Sequence, residues 1–379
     1  MMPEADGVPP DRPGLGARLA QAARAAPVTT VLVVANLLVF VTMAAAGGGV
    51  FRPNAGIYPG FGSNFGPLTT DGQWWRLGAS VFIHFGLLHI AMNMIALWEL
   101  GRLVESLYGS AAFGLVYCVS GLAGSLASVA WHPWVHSAGA SGAIFGILGA
   151  LLAYALKPGM GLPPATLRAH RTAAVLFIGY SLAFGLIGEG IDNAAHLGGL
   201  AGGIVLGFIL GRPETARRQS IDARRALAAA SVAALLLGAI GTRVENTGPA
   251  FREEEAFRLA YERFVEIGRP LEVAIADGFT RWRRGELPDD VLIARLDAER
   301  MHLERSLQEL RQFRLDPRAP TRLAEVQATL VQVLPLQRDA YTLLAKGVRT
   351  RDPRLLREAN AKRDEVQMLM RYLAPARKR

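Results

Sequence analysis

The chain has 379 residues, 51% of them hydrophobic and 19% charged, with a positive mean hydropathy, a formal net charge of +9 and a pI near 10.1. That is too apolar for an ordinary soluble enzyme, and the basic balance comes with no basic stripe interleaved with aromatics, which argues against a nucleic-acid binder. Cys118 is the single cysteine, so an internal disulfide is excluded and stability has to come from packing.

Charge divides the chain into two parts. Of the 41 basic and 32 acidic residues, 24 lie up to Gly241 and 49 beyond it, so a part suited to lipid precedes a part suited to water. A helix crossing a bilayer needs about 20 mostly apolar residues. Such runs occur at Val28 to Ala46, Val81 to Leu100, Ala111 to Trp131, Ser141 to Leu156, Thr172 to Ile187, Ala194 to Leu210 and Leu227 to Ile240. The first run is longer than the apolar core of a signal peptide, about 7 to 15 residues, and is read as an anchor. The fourth and fifth are short and rich in Gly and Ala, which suits close-packed central helices.

With residues 1–27 placed in the cytoplasm, Arg12, Arg18, Arg24, Arg102, Lys157, Arg168, Arg171, Arg212, Arg217, Arg218, Arg224 and Arg225 all fall inside, and only Arg52 and Arg76 fall outside. This predicts a six-helix membrane core over 28–211, a basic cytoplasmic linker over 212–226, a seventh span over 227–241 and an extracytoplasmic domain over 246–379. That last domain reads as amphipathic helices: one around Phe257 to Ile267 ending at Gly268 and Pro270, then Pro288 to Phe313, Thr321 to Lys346 with Pro335 as a kink or split, and Pro353 to Leu373. They are consistent with a small antiparallel bundle. The fold class expected is therefore all-α, a polytopic membrane bundle followed by a soluble one.

Three segments of the membrane part carry polar chemistry. In SAGASGAIFGILGA, Ser141 opens a short helix on the outer side, and Gly139 and Gly142 leave room for a substrate backbone. In NAAHLGGLAGGIVLG, His196 lies near the outer end of an apolar helix, and an ionisable residue inside a membrane is a functional candidate by default. The two depths agree. A serine hydroxyl becomes a nucleophile when a base accepts its proton, and a Ser–His pair suffices for this. Phe145, one turn after Ser141, is placed to pack on the imidazole. Asp192 reads as a loop cap.

In WWRLGASVFIHFGLLHIAMN, His89 and Asn93 are four apart and share a helix face. With the backbone N–H of Ser141 they form a candidate set of donors for the negative charge that develops in acyl transfer. His84, five before His89, points elsewhere on the helix and reads as structural. A metal centre is not indicated: HExxH is absent and the pair His132 and His136 has no third ligand in view.

The order Trp75-Arg76, His84-x4-His89-x3-Asn93, Gly139-x-Ser141-Gly142 and Ala195-His196 in a Gly-rich helix resembles the rhomboid family of intramembrane serine proteases, over about residues 28–211 and with a seventh helix as in its larger members. The resemblance implies Ser141 as nucleophile, His196 as base, His89 and Asn93 as oxyanion donors, and Trp75-Arg76 as a structural pair at the membrane interface. Glu105 and Gly109 match the family's turn after the second helix. Phe145 stands where some members have tyrosine, so stacking is kept and a hydroxyl lost. The resemblance further implies single-pass transmembrane proteins as substrates, cut near the outer boundary, in a bacterial inner membrane, with no cofactor or metal.

A catalytically silent rhomboid-like binding or escort factor is the alternative, and such proteins usually lack the nucleophile or the base. A proton-coupled transporter would want ionisable residues along a path to both sides, which this chain does not have. The resemblance does not extend to the C-terminal domain, for which recruitment of substrates or partners and a purely stabilising role stay open.

Overall fold

The computed structural model describes residues 25–51, 54–160, 172, 175–176, 178–179, 181–183, 185–186, 191–213, 223–319 and 321–373. The expected N-terminal segment before residue 25, most of the fifth expected span and most of the basic linker lie outside them. The chain divides into two compact units, Met1–Thr247 and Gly248–Arg379.

Among the described residues the first unit has six long helices: α1 Pro27–Met43, α2 Leu87–Tyr108, α3 Ser110–Trp131, α4 Ser141–Leu156, α5 Asn193–Leu210 and α6 Ala223–Gly241. Among the described residues five helical stretches are long and apolar enough to cross a membrane, and α4 is a shorter apolar helix. This is an integral, multi-pass membrane protein. Apolar side chains left uncovered on α1, such as Val31, Leu38 and Val41, suit lipid rather than water.

The largest departure from the hydropathy reading is at the second span. The run from Val81 forms a short 3-10 turn, Ser80–Phe82, and a bend through Gly86 at φ +91, and α2 starts only at Leu87. It then runs past Leu100 to Tyr108, because Glu105 is buried with every oxygen satisfied. Oε1 accepts from Val28 N (3.0 Å) and Ser110 Oγ (2.6 Å), and Oε2 accepts from Thr29 N and Thr29 Oγ1 (both 2.8 Å). The carboxylate therefore caps α1, whose own N-cap, Ala26, has no side-chain acceptor.

α3, α4 and α5 form the centre, each packed on the other two, with α2 against α4, α1 against α2, and α6 against α5 and α3. Glycine sets the spacing. A Cβ on Gly199 would collide with the carbonyl of Gly142, and one on Gly203 with that of Gly146. Because 142 meets 199 and 146 meets 203, α4 and α5 run parallel, so both begin at the same end of the unit.

In the second unit, α7 Gly248–Arg283, α8 Asp289–Arg311, α9 Leu323–Thr350 and α10 Pro353–Leu373 pack each on the next around a core that includes Phe257, Leu292, Leu303, Leu334 and Tyr341. Of the two proline readings, the helix end at Pro270 is overturned and the split at Pro335 does not occur. α7 continues through Gly268 and Pro270, and α9 is unbroken at Pro335. A proline removes one N–H, and in α7 buried Phe257 and Ala260 on one side of Pro270 and Ile275 on the other keep the helix on its neighbour.

Candidate active site

Loops at one end of the helices carry the polar groups. Residues 54–80 are organised around Arg76, 5% exposed, whose Nη1 donates to the carbonyls of Pro59 (2.7 Å) and Ser63 (3.2 Å) and whose Nε and Nη2 donate to Gln73 Oε1. Trp74 and Trp75 beside it are about half exposed, at 49% and 55%, as aromatic residues at a membrane interface are. This loop holds the next one: Asn64 and Ser137 exchange backbone hydrogen bonds at 2.9 and 2.8 Å. His136 Nδ1 pairs with Ser63 Oγ at 2.9 Å and its ring stacks on Phe65. Burial, with Arg76 second, holds the His136 imidazole below its ordinary pKa.

The second loop delivers the start of α4. Gly139 N donates to Ser80 O at 2.9 Å. Gly139 has φ +124, a left-handed conformation, and a Cβ there would lie 2.8 Å from His89 Cε1 and Nε2, so only glycine fits. Ser141 is the first residue of α4, behind Ala140 as an N-cap without an acceptor side chain. The first N–H groups of a helix have no intrahelical partner, and an apolar N-cap leaves them available to a ligand.

α5 supplies the partner. Asp192 Oδ1 accepts from Ala195 N at 2.9 Å, the capping role its position suggests. One turn on, His196 Nε2 lies 3.0 Å from Ser141 Oγ. For the hydroxyl to donate, the ring proton must sit on Nδ1, which is buried with no hydrogen-bond partner among the described residues. The Phe145 ring lies flat on the imidazole, centroids 4.1 Å apart and planes 6° from parallel. Ser141, His196, Phe145, Gly139 and Gly142 are thus brought together.

His89 and Asn93 share a face of α2. His89 Nδ1 accepts from Phe85 N at 3.2 Å, which puts the ring proton on Nε2, the edge that lies against Gly139. Asn93 Nδ2 donates to His89 O at 2.9 Å, leaving one amide hydrogen uncommitted. His84 is not on α2. It sits in the turn before it, 1% exposed, with Nε2 accepting from Ala140 N at 3.4 Å. Helical spacing hid that contact, because it assumed a helix the chain has not yet begun.

A multi-pass helical membrane protein with a serine and a histidine paired where two parallel core helices begin is the class these features define. A Rhomboid domain matches residues 71–213. The chain is 36% identical over 241 residues to Rhomboid protease GluP of Bacillus subtilis (strain 168), a match covering 63% of this chain and 45% of that protein. It is 32% identical over 150 residues to Putative rhomboid protease YdcA of the same organism, covering 39% of this chain and 72% of that one. With RHOMBOID-like protein 1 of Arabidopsis thaliana it shares 39% over 145 residues, 37% of this chain and 36% of that protein. The chain belongs to the rhomboid family. It spans less than half the length of GluP and of RHOMBOID-like protein 1.

Proposed function

We propose that this protein is an intramembrane serine endopeptidase that cleaves transmembrane proteins near the outer membrane boundary with a Ser141–His196 dyad. The observation that carries the reading is the 3.0 Å contact between His196 Nε2 and Ser141 Oγ at the matched ends of α4 and α5. The names of GluP and YdcA as rhomboid proteases support it. Ser141 Oγ attacks the scissile carbonyl while His196 Nε2 takes its proton. The carbonyl oxygen becomes an oxyanion, met by His89 Nε2–H, the free amide hydrogen of Asn93 and the Ser141 backbone N–H, and such preorganised donors in a dry site supply much of the rate. The C–N bond breaks, the amine leaves with the proton from His196, and water then hydrolyses the acyl-enzyme by the same steps in reverse roles. Phe145 holds the imidazole in plane during both transfers.

Positive-inside counting supports a cytoplasmic N-terminus, with the dyad and the second unit toward the outer face of a bacterial inner membrane. A single-pass substrate would then present its outer helix end, unwound at small residues, to Ser141, and the second unit would recruit substrates or partners on the same side. Ser141→Ala and His196→Ala should each abolish cleavage of a model transmembrane substrate by the purified protein, with expression and insertion unchanged. The double variant should be no worse than either single one, because residues acting as one unit do not add. Strong activity in either single variant would sink the assignment.

A further inference from the structure

Ser141 is held by the chain before it, and that chain is held in turn by a side chain the dyad chemistry does not use. Three backbone contacts lead to the nucleophile. Ser137 is tied to Asn64, Gly139 N donates to the Ser80 carbonyl, and Ala140 N donates to His84 Nε2 at 3.4 Å. Ala140 is fully buried and His84 is 1% exposed, so water cannot replace this last contact. The imidazole needs a firm seat to do this. The turn that carries it is closed by Gly86 N donating to His84 O at 3.1 Å. With Nε2 accepting, the ring proton sits on Nδ1, which is buried with no hydrogen-bond partner among the described residues.

The same ring also meets the other side of the site. His84 and His89 lie edge to face, centroids 5.0 Å apart at 62°, and His89 is pinned from its Nδ1 side by Phe85 N. One imidazole therefore touches both the residue that fixes the direction of the Ser141 N–H and the ring that offers its Nε2–H from the opposite wall. A phenyl ring would fill the space and keep the edge contact, yet would leave the Ala140 N–H buried without an acceptor, a costly arrangement the loop relieves by turning. Turning the loop swings the Ser141 N–H away from the His89 donor.

We propose that His84 is a positioning residue for peptide cleavage, holding Ala140 so that the Ser141 backbone N–H and the His89 side chain converge on one oxyanion. The inference rests on the protease reading above. It places His84 behind the reacting atoms, with no proton transfer of its own.

The test compares the full-length wild type, His84→Phe and His84→Gln in detergent. Glutamine can place its Oε1 near the position of the imidazole Nε2. Turnover and KM on a transmembrane substrate, the rate of fluorophosphonate labelling of Ser141 and the thermal midpoint are measured for each. Misplacement of a reacting group by about 1 Å can cost about 100-fold, so His84→Phe should lose about 10- to 100-fold in turnover, with KM within about twofold, and should label slowly. His84→Gln should recover to within about tenfold of wild type at a similar midpoint. Turnover of His84→Phe within about twofold of wild type overturns the proposal, as does an equal loss in both variants. If His84→Phe does not accumulate as folded protein, His84→Gln decides alone: at a wild-type midpoint, activity within about tenfold supports the role and a larger loss refutes it. A wild type that neither cleaves nor labels at Ser141 identifies the protease reading itself as the failure.

Discussion

Replacing Glu105 by glutamine changes one atom of the membrane unit and should destabilise it by an amount the structure lets one work out. The carboxylate, 3% exposed, accepts from two backbone N–H groups, Val28 and Thr29, and two hydroxyls, Thr29 and Ser110. Each oxygen takes one of each kind. A glutamine amide must turn its NH2 toward one such pair in either orientation. The hydroxyl of that pair can rotate and accept from the new donor, whereas the backbone N–H cannot. One buried N–H at the start of α1 is then orphaned, at about 1–3 kcal/mol, and the loss of a negative charge at a helix N-terminus adds about 0.3–1 kcal/mol. The expected cost is about 1–4 kcal/mol, with Glu105→Ala at least as severe. Denaturant unfolding in detergent micelles measures it, and a cycle with Thr29→Val should reveal coupling between the two sites. A Glu105→Gln protein within about 0.5 kcal/mol of wild type would refute the capping argument.

Other consequences follow from particular contacts. Gly203→Ala pushes a methyl into the Gly146 carbonyl, and should cost about 1–3 kcal/mol and lower turnover by widening the Ser141–His196 pair; Gly238→Ala on α6, with open space around it, should do neither, and equal midpoints for the two variants would argue against the packing. His89→Ala should lower turnover about 100- to 1000-fold with little change in KM, and Asn93→Ala less, because one of its amide hydrogens is committed to His89 O; wild-type turnover in both would place the oxyanion elsewhere. In the second unit, burial and then Glu272 push the Glu299 carboxyl up to about 7 from 4.5. The folded state therefore binds this proton more tightly than the unfolded one, and stability falls as pH rises from about 4.5 to about 7, by about 1–3 kcal/mol. Glu299→Gln should flatten that slope and raise the thermal midpoint at pH 8, and an unchanged slope in calorimetry would count against it.

How much of this was legible in the sequence depends on whether the signal was local. α4 begins at Ser141 and ends at Leu156, as its apolar run indicates, and α3, α5 and the start of α1 shift by a residue or so. The second span was misplaced because hydropathy counts composition. Val81, Phe82 and Ile83 are apolar but lie in a turn, and Glu105 is charged but sits inside a helix where four donors meet it. His84 was placed on that helix for the same reason. Helical spacing also gave the shared face of His89 and Asn93, since both lie on α2 proper. Pro270 was read as a helix end by its intrinsic cost, which long-range packing overrides.

What no local pattern could supply is the direction in which two helices face each other. Glycines at 142, 146, 199 and 203 announce close approach, but many pairings would satisfy that. The observed one sets Gly142 on Gly199 and Gly146 on Gly203, a parallel match in which each step along α4 is a step along α5. Parallel neighbours place two helix N-termini side by side, so Ser141 and His196 come within hydrogen-bonding distance at the same end, with uncapped N–H groups of α4 beside them. An antiparallel pairing of the same glycines would have set the histidine about 12 Å along the helix axis from the serine. The small-residue interface and the Ser141–His196 contact are therefore one feature: the packing that lets backbones touch is what fixes the 3.0 Å between imidazole and hydroxyl, and any side chain that separates those backbones acts on that pair without touching it.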